Sequence, residues 1–272
     1  MAYPQTQAFL YTEKNGCGVL QVPALQNQPM LRHCFTTRIG GVSEAPFASL
    51  NMGLRRSDSR ENLMENYRRV CEALHFDFNK LTLVNYNHGT GVAIAKQADA
   101  GTGVHKSDFP FECDGIVTNV TGLPLVTLHA DCLAVFLLDP VKKAIGLCHA
   151  GWRGVEAGVA VETLHAMQEA FGSQATDCIA GVGAGIGPCC FEVDEDIAAK
   201  FADGFGEAVM LRSGAKPHVN LHACVAQQLE KAGLLPNHIT LDNHCTCCDE
   251  ALFYSLRRDQ ETGAMAAIMQ LV

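Results

Sequence analysis

Apolar positions along the chain recur with two different periods. Leu31 to Thr37 and Leu81 to Tyr86 are short apolar runs that read as strands; a Gly40-Gly41 turn follows the first, and His88 follows the second. Between them Leu63, Tyr67, Val70, Cys71 and Leu74 recur at helical spacing. Asp58 and Glu61 stand at capping-box spacing, which predicts a helix entered at Asp58. The centre is denser in β signal. Gly115–Val120, Leu125–His129, Leu133–Leu138 and Lys143–Cys148 are apolar and β-branched, and the last two flank the turn Asp139-Pro140-Val141-Lys142. A Gly-rich turn, Gly151 to Gly154, leads into a helix carrying Val155, Val159, Leu164, Met167 and Phe171. Ile179–Gly187 reads as a strand and loop, Asp194–Phe201 and Leu221–Lys231 as helices, and Ala266–Val272 as a last strand. Strands that bunch around hairpin turns predict an α+β fold with a mixed, largely antiparallel sheet and flanking helices, rather than a doubly wound one. No linker, low-complexity tract or repeat interrupts the chain, so one domain over residues 1–272 is expected.

The central hairpin brings chemistry together. A four-residue loop from Asp139 to Lys142 pairs Leu138 with Lys143 and sets Cys132 opposite His149 at the open end. Directly opposed Cβ atoms lie about 4.5–5.5 Å apart. Such a pair suits a shared metal ion or a thiolate–imidazole couple. A one-residue slip turns one of them away and brings Asp131 or His129 into competition. A metal needs a third ligand, and His88, in the turn His88-Gly89-Thr90-Gly91, is a candidate that spacing alone does not assign.

Composition narrows the function classes. The 272 residues are 48% hydrophobic and 18% charged, which excludes a disordered chain, a coiled coil and a collagen-like repeat. The net charge of −9 lacks the basic excess of a broad nucleic-acid surface. The N-terminal stretch shows no signal-peptide pattern, and the apolar run Leu133–Leu138 is too short to span a bilayer, so a soluble, cytoplasmic protein without membrane contact is expected. Thirteen cysteines then read mostly as reduced thiols, several packed as small apolar groups. The run His244-Cys245-Thr246-Cys247-Cys248 is not a pair of C-x2-C elements. It reads as packed or partly exposed thiols, as do Cys189 and Cys190.

Several segments resemble one known family. His149-Ala150-Gly151-Trp152-Arg153-Gly154 is the HAGWRG signature, and Ala130-Asp131-Cys132 resembles its ADC segment. Gly187 to Val193 resembles GPCCYEV, Thr36 to Ser43 TTRxGGVS, Ser49 to Gly53 SLNLG, and Phe253 to Asp259 FFSYRRD. The chain thus resembles the YfiH family of laccase-domain proteins, also called polyphenol oxidases, purine nucleoside phosphorylases or peptidoglycan editing factors.

The resemblance implies one zinc ion on His88, Cys132 and His149, with copper the less favoured metal. Three ligands leave a fourth position open, as in catalytic zinc sites. It further implies phosphorolysis of adenosine, inosine and 5'-methylthioadenosine, with adenosine deamination. The partners are then a small nucleoside and phosphate; the sequence does not indicate an oligomeric state. Deamination needs a proton carrier, for which Asp131 and Asp114 are candidates. Phosphate needs cationic donors. Arg153, in the turn before a helix, is the first candidate and Arg38 the second, with Asn51 as a hydroxyl contact. The chain departs from the family where QVHG reads Tyr86-Asn87-His88-Gly89, TADC reads His129-Ala130-Asp131-Cys132, and TGRM reads Thr262-Gly263-Ala264-Met265. His129 is a rival ligand, although strand alternation puts it on the face opposite Cys132 unless the chain bends there.

Three other functions compete. In a metal-free cysteine hydrolase, similar to the toxin deamidase the family fold resembles, Cys132 is the nucleophile and His149 the base. A peptidoglycan-precursor editing enzyme would hydrolyse an amide on a UDP-muramyl amino acid. A multicopper oxidase normally carries H-x-H pairs, and none occurs among the 11 histidines.

Overall fold

A computed structural model describes residues 9–54, 57–106, 112–212 and 214–272; most of the N-terminal stretch read for an export signal lies outside them. In chain order the strands are β1 (Leu10–Lys14), β2 (Cys17–Gln21), β3 (Leu31–Thr36), β4 (Thr82–Leu83), β5 (Val92–Ile94), β6 (Gly115–Thr118), β7 (Leu125–His129), β8 (Leu133–Asp139), β9 (Ala144–Ala150), β10 (Ile179–Val182), β11 (Met210–Leu211), β12 (His218–Val219), β13 (Ile239–Leu241) and β14 (Met265–Leu271). The helices are α1 (Pro23–Gln26), α2 (Arg60–Leu74), α3 (Trp152–Ala157), α4 (Val159–Phe171), α5 (Glu195–Phe205), α6 (Leu221–Lys231) and α7 (Leu256–Asp259). No helix among the described residues is long and apolar enough to cross a membrane.

Twelve of the strands build two six-stranded sheets, where a single sheet is the sequence expectation, and β11 and β12 pair separately. One sheet runs β1-β2-β3-β14-β7-β4, the other β13-β10-β8-β9-β6-β5. Pairing is antiparallel except for β4–β7, β5–β6 and β10–β13, each at a sheet edge. Two sheets arise because the central strands are apolar on both faces, and each face requires its own cover. In β8, Ala134, Phe136 and Leu138 meet Met265, Ala267 and Met269 of β14 in the core between the sheets. Leu133, Val135 and Leu137 point the other way, against residues of α3, α4, α5 and α6. The outer face of the first sheet, with Ala266 and Ile268, packs on α2 through Tyr67, Val70 and Cys71. The layers are therefore helix, sheet, sheet, helices.

The structure corrects several local expectations. Helix α2 is capped by Ser59, whose side chain accepts from Asn62 N at 3.0 Å. Asp58 instead accepts from Ser59 N and from Asn51 Nδ2. Only Thr82–Leu83 of the Leu81–Tyr86 run forms a strand, because residues 84–91 leave the sheet and wrap around Asp114. Trp152, Arg153 and Gly154 are helical rather than a turn, and the helix after them breaks at Gly158, where φ is +90°.

The central hairpin forms with its turn one residue later than the pattern predicts. Asp139 pairs with Ala144, and Asp139 Oδ1 accepts from Val141 N at 2.8 Å and Lys142 N at 2.9 Å. This side-chain turn places the loop at Pro140 to Lys143, and Lys143 closes it with φ of +52°. His149 consequently faces Ala134, not Cys132. The displacement is two positions in register, so Cys132 keeps its face and becomes a diagonal neighbour of His149.

Candidate metal centre and adjoining cavity

Three segments converge at the open end of the β8–β9 hairpin. Cys132 precedes β8, His149 lies in β9, and His88 sits in the loop after β4. Their ligand atoms all lie within 4.8 Å of one another. His149 is buried, Cys132 half-buried and His88 exposed. The two imidazoles meet edge to face, with ring centres 5.0 Å apart.

Asp114, fully buried just before β6, organises this arrangement. Its Oδ1 lies 2.9 Å from His149 Nδ1 and accepts from His88 N at 3.1 Å. Its Oδ2 accepts from Asn87 N at 3.1 Å and Gly89 N at 2.8 Å. One carboxylate therefore holds the His88 loop and occupies Nδ1 of His149, which leaves Nε2 for a metal. The loop needs this support, because His88 has a φ of +62°, a strained conformation for a non-glycine residue. Burial pushes the Asp114 carboxyl up, but the bonds from His149 and Gly89 outweigh it and hold its pKa below the usual carboxylate range.

The donor set suits a metal. Burial raises the Cys132 thiol, yet the charge and hydrogen bond of His149, together with His88, bring it down to about 6. Burial alone lowers His149, but Cys132 and Asp114 raise it to about 9. A ready thiolate and two histidines, His149 giving up its Nε2 proton as the metal binds, are borderline-soft ligands appropriate to zinc, and copper accepts them too. Gly151 of the HAGWRG motif makes room for them. A Cβ there would lie 2.9 Å from His88 Cδ2 and 3.1 Å from Cys132 Sγ. Gly154 serves the same loop, since a Cβ on it would come within 3.1 Å of Gly89 O.

His129 is close, with its ring centre 5.5 Å from that of His149, but both ring nitrogens are engaged. One bonds Thr127 Oγ1 at 2.8 Å and the other the Cys132 carbonyl at 3.1 Å. Strand alternation does not account for this, because β7 and β8 belong to different sheets and the chain bends between them at Asp131, where φ is +87°. Tyr86, at the position where the chain departs from QVHG, stacks on the His149 ring at 4.3 Å and meets His88 edge-on.

A cavity of about 390 Å³ opens beside Cys132. Its walls are mainly apolar: Trp152, Ile186, Phe191, Leu221 and Leu256, with Asp131 and Arg257 as the charged groups. That size and character are ordinary for a small-molecule site. Asp131 Oδ1 accepts from Thr246 Oγ1 and Oδ2 from Arg257 N, both at 2.7 Å. Arg153 is exposed at the start of α3, its guanidinium 4.3 Å from the Trp152 ring centre.

None of Arg38, Asn51 and Arg153 is among the residues lining this cavity, although Arg153 adjoins it through Trp152. Arg38 donates to the carbonyls of Ala48 and Glu250 and lies over the Tyr254 ring. Asn51 bonds Asp58, Gly53 N and Ala264 N. Both clamp the 38–51 loop onto the C-terminal segment. Arg257 takes the cavity position that sequence reasoning missed. It lies inside the Phe253–Asp259 motif, but only the return of α7 to the hairpin end shows what it faces.

A family model described as multi-copper polyphenol oxidoreductase laccase matches residues 32–272. The chain belongs to this family, the YfiH family of the sequence motifs. The chain is 36% identical over 258 residues to the purine nucleoside phosphorylase of Deinococcus radiodurans, covering 94% of each. It is 34% identical over 242 residues to the purine nucleoside phosphorylase YlmD of Geobacillus stearothermophilus, covering 86% of this chain and 88% of that one. The crystal structure of YlmD from that organism superposes with a TM-score of 0.89 at 30% identity, over 97% and 98% of the two chains. The single-domain α+β fold and its flanking helices are those of YfiH and YlmD.

Proposed function

We propose that the chain is a zinc-dependent purine nucleoside phosphorylase acting on adenosine, inosine and 5'-methylthioadenosine, with adenosine deamination as a second activity. The observation that carries this reading is the convergence of His88, Cys132 and His149 beside an apolar cavity of nucleoside size. The purine nucleoside phosphorylase names of the relatives support it. The whole chain is taken as one functional unit, and its free thiols suit a reducing cytoplasm.

Zinc held by these ligands supplies a Lewis acid that polarises a substrate atom or water. The chain's own groups do the rest. Trp152, Phe191 and the aliphatic walls take the flat purine and exclude water. Arg257, in the cavity wall, and Arg153, exposed beside the wall residue Trp152 with its guanidinium over that ring, are the cations offered to the anion. In phosphorolysis a phosphate oxygen bonds to the sugar carbon, the bond to the base breaks, and the departing base gains the proton that the hydrogen phosphate gives up. Asp131 is the residue proposed to relay that proton; it lies at the cavity wall, and its carboxylate retains lone pairs beyond the two it uses. Asp114 acts through His149 and His88 as a positioning residue.

One observation favours a second reading. Cys132, His149 and Asp114 stand in the order nucleophile, base and orienter of a cysteine hydrolase. Metal analysis with a product assay on adenosine separates the two. Adenine with ribose 1-phosphate, dependent on phosphate and lost with zinc on chelation, supports the phosphorylase; inosine alone indicates deamination. Neither product, together with inactivation of metal-free protein by alkylation of Cys132, overturns it in favour of the hydrolase.

A further inference from the structure

Two segments far apart in the chain meet beside the cavity, each carrying two cysteines. Cys189 and Cys190 follow Gly187-Pro188, and Cys245 and Cys248, with two residues between them, stand in a tight turn closed by Cys248 N donating to Cys245 O. The four sulfurs lie within 4.8 Å of one another. Cys248 Sγ is 3.4 Å from Cys189 Sγ and 3.3 Å from Cys190 Sγ. Tetrahedral zinc with bonds of about 2.3 Å holds its sulfurs roughly 3.8 Å apart, which falls between the 3.3 Å contact and the 4.8 Å limit of this group and so suits one ion. The core of a multi-iron cluster would spread the sulfurs farther.

The surroundings are built for sulfur. Gly187 N donates to Cys245 Sγ at 3.1 Å, the kind of outer bond that steadies a thiolate ligand. A Cβ at Gly187 would lie 3.1 Å from Cys245 Cβ and 3.3 Å from Cys189 Sγ, so a side chain there would wedge the segments apart. Backbone contacts hold the register: Gly185 bridges Cys245, and Thr246 N donates to Gly185 O. We propose that Cys189, Cys190, Cys245 and Cys248 bind a second zinc ion, in a closed, structural tetrathiolate site.

Binding releases the thiol protons to solvent, and four protein ligands leave no position open for a reactant. The role is architectural. Arg257 donates to Cys190 O and Glu192 O, Arg258 to Thr246 O and Cys247 O, and Thr246 Oγ1 to Asp131. The ion therefore pins the cavity wall that carries Phe191 and Arg257 to the residue beside Cys132. The proposal does not depend on the nucleoside reading.

Zinc counted per chain in the full-length protein, purified without oxygen or added chelator, tests it. The wild type and Cys247→Ser should each hold two ions, one for each ligand group; Cys132→Ala and the Cys189→Ser/Cys248→Ser variant should hold one, and their combination none. Should the serine variant fail to fold, cobalt exchanged for the zinc of Cys132→Ala must still give the intense thiolate charge-transfer absorption of a tetrathiolate. Cys132→Ala free of zinc and without that absorption overturns the proposal, as does iron in the site or a disulfide among the four cysteines. One ion in the wild type that survives Cys132→Ala but not the serine changes upholds this site and refutes the His88–Cys132–His149 centre.

Discussion

Replacing Asp114 with Asn tests whether one carboxylate assembles the metal centre. The change preserves shape but turns one acceptor oxygen into an NH2 donor. With that NH2 in the Oδ2 place it confronts Asn87 N and Gly89 N; in the Oδ1 place it confronts His88 N and His149 Nδ1. The first orientation opposes two part-buried donors and the second only His88 N, because Nδ1 of His149 can become an acceptor; at about 1–3 kcal/mol per opposed donor the metal-free fold should lose roughly 1–6 kcal/mol. The second orientation also favours the tautomer of His149 with a proton on Nε2, the atom needed by the metal. Loss of such an outer partner costs about 10- to 100-fold in metal affinity, or roughly 1.4–2.7 kcal/mol. Zinc affinity is read by competition with a chromophoric chelator, and apo stability separately by urea unfolding, so unfolding does not pass for weak binding. A folded Asp114→Asn chain that binds zinc within about twofold of wild type would refute the reasoning.

Other outcomes follow from the same geometry. Gly151→Ala should fold but hold zinc weakly at the His88–Cys132–His149 group, because its methyl group would press on His88 Cδ2 and Cys132 Sγ; loss of no more zinc on dialysis than the wild type would contradict this. Arg153→Ala should raise the KM for phosphate by about 10- to 100-fold while leaving zinc content intact, matching the loss of a charge-assisted bond of about 1.5–3 kcal/mol; an unchanged KM would count against Arg153 as an anion donor. His33 is buried, accepts from Val22 N at 2.8 Å, and burial lowers it from 6.5 to about 4. The unfolded chain therefore takes up its proton first as pH falls. The stability this histidine contributes is complete above about pH 6.5 and lost toward pH 4, by about 3 kcal/mol in all. Urea unfolding from pH 7 to 4 should show a shallower loss in His33→Gln, and identical slopes would exclude the effect.

The legible part of the fold was what local pattern controls. The helical face of Leu63, Tyr67, Val70 and Cys71 follows from a period of 3.6 residues, and the strands at Leu125, Leu133 and Ala266 from short apolar, β-branched runs, both of which are set within a few residues. The face shared by Cys132 and His149 was also legible, since any even shift in register preserves it. His88 came to the metal only by resemblance, because its place depends on Asp114, 26 residues later in the chain.

The sequence by itself determined which side chains carry chemistry and which faces of the elements seek burial. The tertiary structure decided their company. It turned one expected sheet into two, gave Arg257 rather than Arg38 the cavity wall, engaged both nitrogens of His129, and set Cys189 and Cys190 against Cys245 and Cys248. The physical reason is common to all four. Each depends on packing between segments distant in the chain, and such contacts follow from burying both faces of the strands at once rather than from any local preference.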